Sequence, residues 1–387
     1  MRALLAFDKF KDSLTAQAAC DIAARALRER HPDWTLDLCP LADGGEGFCE
    51  ILTTAAGGTV KTISVEAPRG GMVEAPLGLV PLNKIPPAAR ALLSIDHRES
   101  KNPNPCVAVI EMAAASGLAL LAPELRDPWF TTTRGTGQLL RAAAEHGAVA
   151  ILLGVGGSAT HDLGTGALDA LGLAFRDAAG EKVSPPVPAR WQRIARLDGA
   201  VSPPLPPVRI ACDVTNPLLG PRGAAAVYGP QKGLRPADFA RLDHESARLA
   251  LMLCAHGQHP DSLMDTPGAG AAGGISFGLM AAAGAQLLPG FDLVAAWLDL
   301  ETRLAAADVV ITGEGRFDES SLSGKGPGAV AARALALGKP AHVFAGSATT
   351  VARAGLGLHA ITPDGTPLAQ ALRDAAANLS AAVRRSL

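Results

Sequence analysis

Short apolar runs recur along the chain, separated by stretches with a helical period. Residues 4–7, 36–38, 107–111, 148–153, 208–212, 309–312 and 342–345 read as strands. Several are too uniformly apolar to alternate, so they are expected to be covered on both faces. Between the first two, Leu14, Ala18, Ile22 and Ala26 share one helical stripe, with Ser13 or Thr15 placed to cap it. A second helix should follow residues 44–47 and stop at Gly57-Gly58, and a closing amphipathic helix should run from Leu368 to the basic turn at Arg384-Arg385. Strands alternating with helices predict βα units around a largely parallel sheet. Two stretches break the pattern: residues 83–105, mixing Pro, Asn and charge, predict an exposed excursion, and residues 202–207, Ser-Pro-Pro-Leu-Pro-Pro, a stiff connector.

Composition narrows this picture. At 387 residues and 48% hydrophobic, the chain can fill two cores rather than one. A formal net charge of −2 and an aromatic content of 4% argue against nucleic acid or an anionic membrane as partner. No run approaches the ~18 apolar residues of a membrane span. Cys20, Cys39, Cys49, Cys106, Cys212 and Cys254 show no metal spacing and read as buried thiols of a cytoplasmic protein. The nine histidines form no zinc motif, and His161, inside a glycine loop, is the one with a candidate role.

The 42 glycines are clustered where strands meet helices, and such junctions favour anions through backbone N–H groups and the helix dipole. The clusters are Gly44-Gly45-Glu46-Gly47, Gly154-Val155-Gly156-Gly157-Ser158, the run from Gly268 to Gly274, and Gly313-Glu314-Gly315. One of them invites a rival reading. Gly154-x-Gly156-x-x-Ala159 after an apolar strand, with Asp177 downstream, fits a dinucleotide fingerprint and would make the chain an NAD-dependent hydroxy-acid dehydrogenase. The Gly268 run matches the same pattern without a preceding strand, so the pattern alone decides little.

The residues attached to the loops point elsewhere. Phosphoryl transfer needs cations for phosphate oxygens, carboxylates for Mg²⁺, and a group to orient the attacking hydroxyl. Lys9 and Lys11 follow the first strand; Asp43 and Glu46 flank the turn after the second. Asp213 and Asn216 follow residues 208–212, with Lys232 downstream, and Glu314, Arg316, Asp318 and Lys325 follow residues 309–312. No Walker A or protein-kinase motif is present.

Together these blocks resemble the first type of bacterial glycerate kinase over nearly the whole chain. The resemblance rests on the ordered segments 7–14, 40–47, 156–160, 213–221, 229–233, 267–274 and 311–318, with Gly324-Lys325 after them. It implies ATP- and Mg²⁺-dependent phosphorylation of D-glycerate, at the 2-hydroxyl, to give 2-phosphoglycerate and ADP. It also implies two unlike α/β domains with a cleft between them. A Rossmann- or flavodoxin-like domain would be built from both chain ends, residues 1–62 and 285–387, with a second domain, residues 63–284, inserted in it. Domain closure on substrate is a corresponding expectation, and a monomer or homodimer the expected assembly.

On that reading Lys9, Lys11, Asp43 and Asp213 are the catalytic candidates, Asp43 or Asp213 orienting the hydroxyl. Gly45, Glu46, Gly156, Gly157, Ser158, Asn216, Lys232, Gly270, Gly273, Arg316 and Lys325 would bind substrate or phosphate, and Glu314 and Asp318 would hold Mg²⁺. The sequence departs from the family pattern at His161, where Asn is usual, at residues 320–323, and in the length of residues 83–105. Besides the dehydrogenase, two alternatives stand: a kinase of a related small hydroxy acid, and a non-catalytic ligand sensor on a kinase scaffold.

Overall fold

A computed structural model describes residues 1–95, 103–318, 321, 326–349 and 354–387. In chain order the strands are β1 (Arg2–Phe7), β2 (Thr35–Leu38), β3 (Thr59–Glu66), β4 (Met72–Pro81), β5 (Cys106–Glu111), β6 (Ala150–Gly154) and β7 (Ala174–Arg176). They continue with β8 (Arg196–Asp198), β9 (Val208–Ala211), β10 (Gln286–Leu288), β11 (Val309–Phe317), β12 (Ala341–Ala348) and β13 (Leu356–Ala360). The chain divides into two compact units, one formed by Met1–Asp43 with Phe291–Leu387, the other by Gly44–Gly290.

The first unit is a five-stranded sheet in the order β13-β12-β11-β1-β2, parallel throughout. Along β1, Ala3, Leu5 and Phe7 pack against the helices Ala16–Arg30 and Ala375–Ser386, while Leu4 and Ala6 on the other face are equally buried. A strand buried on both faces has no reason to alternate, which is why it reads as a continuous apolar run. Thr15 caps the helix Ala16–Arg30 by accepting the Ala18 N–H at 3.1 Å. The closing helix expected from Leu368 is broken at Asp374 into Leu368–Arg373 and Ala375–Ser386.

The second unit is built on a six-stranded mixed sheet, β10-β9-β6-β5-β4-β3. Its first four strands are parallel and β3 and β4 add antiparallel to the edge. β3 and β4 were not expected from the pattern. β3 is mostly exposed, so its Thr, Val and Ile positions form no buried stripe that a hydrophobic reading would detect. This pair also moves the expected boundary. The helix Phe48–Ala55 packs on β4 and β5, so residues 44–62 belong with the second unit rather than with the chain ends, and residues 285–290 do so through β10.

Two further expectations need correction. Within residues 83–105, Ile85, Ala89 and Leu93 are buried and Pro87–Leu93 is helical, so this part is packed against the fold rather than an exposed excursion. The remainder, residues 96–102, lies outside the described residues. Among the cysteines, none of which is in a disulfide, Cys106 and Cys212 are half-buried rather than buried. Among the described residues no helix is long and apolar enough to cross a membrane.

Candidate active site

In the first unit a cavity of about 800 Å³ opens at the carboxyl ends of the parallel strands, lined by residues that follow β1 and β13 and by the last residues of β11 and β12. The strand order reverses direction between β1 and β11, and this is where an open parallel sheet leaves a crevice for ligands. After β2 the chain continues alongside β1, with Cys39 N–H donating to Leu5 O and Leu41 N–H to Phe7 O. That course delivers Asp43 to the loop after β1, where Lys9 Nζ donates to Asp43 Oδ1 at 2.9 Å.

β11 extends further than the sequence suggested. Gly313-Glu314-Gly315 is not a loop but the end of the strand, which runs on to Phe317. Strand alternation then puts Glu314 and Arg316 on one face, and Gly313 and Gly315 on the other. A side chain at Gly313 would meet Phe344 O at 2.0 Å, and one at Gly346 would meet Gly315 O at 2.4 Å. These glycines let the strand ends run close together; they are needed for packing rather than for cradling an anion.

The carboxylates here are crowded. Asp8 is buried, and burial, then the Asp43 carboxylate, raise its pKa to about 7, with Glu314 adding to the rise and Lys9 opposing it. Burial also raises Glu314, with Asp318 and Asp43 adding to the effect and a hydrogen bond from Ser321 opposing it. Among the described residues Glu314 Oε1 has no hydrogen-bond partner although it is buried. Arg316 is exposed and pairs with Asp318 at 3.0 Å, and Lys11 is exposed. Lys325 lies outside the described residues, as do Ser320, Leu322 and Ser323.

In the second unit the glycine loops stack on one another at the carboxyl ends of β5, β6 and β9. Gly156 N–H donates to Gly44 O at 2.9 Å, and Gly47 N–H to the buried carboxylate of Glu111 at 2.9 Å. A side chain at Gly156 would lie 2.8 Å from the Gly45 backbone. Gly157, at φ +72°, is exposed and adjoins Glu46, so its backbone faces solvent. Asp213, just beyond β9, is half-buried next to Gly290. Asn216 is engaged within its own loop, donating to Arg222 O at 2.8 Å and accepting from Tyr228 at 2.7 Å.

Behind the Gly156 loop lies a buried polar cluster. Lys232 is 1% exposed and its amine donates to Ser158 Oγ at 2.8 Å and Thr160 O at 2.6 Å. Burial lowers its pKa to about 7, opposed by the nearby Asp162. Asp162 accepts four hydrogen bonds, from Thr133 N–H and Oγ–H and from the N–H groups of Gly164 and Gly166. His161 is buried against Ser246, and burial, with Lys232 nearby, lowers its pKa to about 3, so it is a neutral interior group. Lys232 and Ser158, expected to touch phosphate, instead brace the loop from inside. Gly270 and Gly273 are also interior. A side chain at Gly273 would meet Thr160 O at 2.0 Å and one at Gly270 would meet Pro217 O at 2.3 Å, so both serve close packing.

The Glycerate kinase family model matches residues 3–387 of this chain. The chain belongs to the glycerate kinase family. It is 40% identical over 347 residues to a glycerate kinase of Halalkalibacterium halodurans, an alignment covering 89% of this chain and 85% of that protein. It is 39% identical over 355 residues to the glycerate 2-kinase of Escherichia coli K12, covering 90% and 86%. A crystal structure described as that of a glycerate kinase 2 from Salmonella typhimurium LT2 superposes with a TM-score of 0.76 at 38% identity, over 100% of this chain and 96% of that one.

A glycerate kinase fold accounts for what the dinucleotide reading could not. That fingerprint requires a helix to open at its third small residue, and here the helix after β6 begins only at Thr165. Asp177, the candidate ribose ligand, instead accepts the N–H groups of Ala179 and Glu181 in a tight turn. Asp8 is the residue that sequence reasoning missed. It lay in plain view beside Lys9, and the signal for it was its position as the first polar residue after the buried run Ala3–Phe7 of a parallel strand.

Proposed function

We propose that this glycerate kinase transfers the γ-phosphate of ATP to the 2-hydroxyl of D-glycerate, giving 2-phosphoglycerate and ADP. The observation that carries this reading is the alignment with the Escherichia coli glycerate 2-kinase over nine-tenths of the chain, 90%. The crowded carboxylates and the cations Lys9, Lys11 and Arg316 around one crevice support it, because they supply the charges a phosphoryl-transfer site uses.

Among the described residues no three His, Cys, Asp or Glu side chains are set to ligate a metal by themselves. Mg²⁺ does not require that, since it keeps several waters and uses one or two carboxylates together with substrate phosphates. The raised pKa values of Asp8 and Glu314 and the unpartnered Glu314 Oε1 fit a cation there. Asp8 and Glu314 would hold it; Asp318, paired to Arg316, fits the role less well. Bound there, Mg²⁺ would neutralise charge on the phosphate oxygens. Lys9 and Arg316 add fixed positive charge, and Asp43, held by Lys9, is the carboxylate placed to orient the hydroxyl. Asp213 is a second candidate for that task in the other unit, and the exposed backbone of Gly157 can contact an anion. In this reading the enzyme works in the cytoplasm, where its thiols stay reduced.

The test is ADP release with D-glycerate beside a panel of small hydroxy acids, with separation of 2- from 3-phosphoglycerate. Release with D-glycerate and formation of the 2-phosphate is the expected result. Release only with other acids, or none, would overturn it.

A further inference from the structure

The cavity of the first unit has two ends of different chemistry. One end carries Asp8, Lys9, Lys11, Glu314 and Arg316; the other is formed by the loop after β13 and the helix Leu368–Arg373. At the second end Ile361, Pro363, Leu368, Ala371 and Leu372 line the wall. Leu368 is 73% exposed, more than any other large hydrophobic side chain among the described residues. A leucine this bare at the wall of a cavity has a face without a partner.

Size separates the two substrates. A volume of about 800 Å³ lies in the range of pockets that enclose drug-sized ligands, far more than a three-carbon acid fills. A nucleoside triphosphate matches both the length and the polarity gradient. Its phosphates suit the charged end, and its base, with apolar faces and a polar rim, suits the other. Thr362, Asp364 and Thr366, on the same loop, offer polar atoms to that rim.

We infer that the apolar end of this cavity, between the loop of residues 361–366 and the helix Leu368–Arg373, is the nucleobase subsite, with Leu368 packing on the base. The inference rests on the reading of the chain as an ATP-dependent kinase and adds where the nucleotide is recognised. It makes Leu368 a determinant of affinity for the nucleoside and leaves the phosphates to the charged end.

Calorimetric titration of the full chain with ADP and with inorganic tripolyphosphate, both with Mg²⁺, tests it. Leu368→Ser should weaken ADP binding by about tenfold, the loss of one apolar contact with the base, while tripolyphosphate binding is unchanged. Leu368→Met should restore most of the ADP affinity. Because Leu368 is exposed, neither substitution threatens the core. Equal ADP affinity in wild type and Leu368→Ser, or equal losses for ADP and tripolyphosphate, would overturn the subsite. Should ADP bind as described while D-glycerate is not phosphorylated, the glycerate reading fails and the subsite stands. If D-glycerate is phosphorylated but Leu368→Ser leaves ADP binding unmoved, the reverse holds.

Discussion

Lys9 Nζ and Asp43 Oδ1 lie 2.9 Å apart, joining the loop after β1 to the segment that runs on from β2. Asp43 is about half exposed, so in stability terms such a pair is worth little. Its value is orientation: the lysine sets where the carboxylate points. Asp43→Asn and Lys9→Met should each lower kcat by about 100-fold or more, with melting temperatures close to wild type. The double variant should be little worse than either single one, because the two act as a unit. Near-normal kcat in Asp43→Asn with an intact fold would remove this pair from the chemistry.

Glu314 predicts a metal phenotype. Its buried, unpartnered oxygen and raised pKa fit the cation site proposed above. Glu314→Gln should raise the Mg²⁺ concentration for half-maximal activity by about tenfold. Titrating activity against Mg²⁺ at saturating ATP reads this directly, and an unchanged curve counts against the assignment.

Lys232 predicts a pH dependence of stability. Its pKa falls from the ordinary 10.5 to about 7 inside the protein, chiefly through burial. Between those values the unfolded chain holds a proton that the folded chain does not, so this residue makes stability rise with pH across that window and stay lowest below it. Lys232→Met lacks the dependence. Comparing denaturant unfolding of both proteins at about pH 7 and about pH 9 should show the difference shifting toward wild type at the higher pH. A difference that does not move with pH would mean the lysine is charged in the fold.

Gly273 separates packing from catalysis. Its φ of +71° and the Thr160 carbonyl 2.0 Å from an added Cβ leave no room for a side chain. Gly273→Ala should cost about 2 kcal/mol or more of stability, seen as a lower unfolding midpoint. A normally stable variant with only a raised KM would restore the phosphate-cradle reading of this glycine.

How much was legible in the sequence differs between the two units. β1, β11 and β12 of the first unit, and β5, β6 and β9 of the second, announced themselves because largely buried strands read as apolar runs, whereas the half-buried β13 was missed. The charged residues at their ends followed from that. β3 and β4 were invisible because a half-exposed edge hairpin buries no continuous stripe, and their absence misplaced the domain boundary. The glycines were misread for another reason. A glycine that admits an anion and one that admits a neighbouring backbone look the same in a sequence, and at Gly270, Gly273 and Gly313 the neighbour is the protein itself. Lys232 is a similar case, since its spacing did not reveal that its amine is enclosed by residues 158–162.

The pairing of β1 with β11 has a consequence for how the molecule comes into being. Gly44–Gly290 is one uninterrupted stretch and holds every strand of its own sheet, so it can fold as soon as it leaves the ribosome. The first strand can pair with β2 early, but it must wait for β11 until residues 309–317 are synthesised. Lys9 and Asp43 are therefore translated before the whole of Gly44–Gly290, yet the crevice they serve can close only after that stretch has been made.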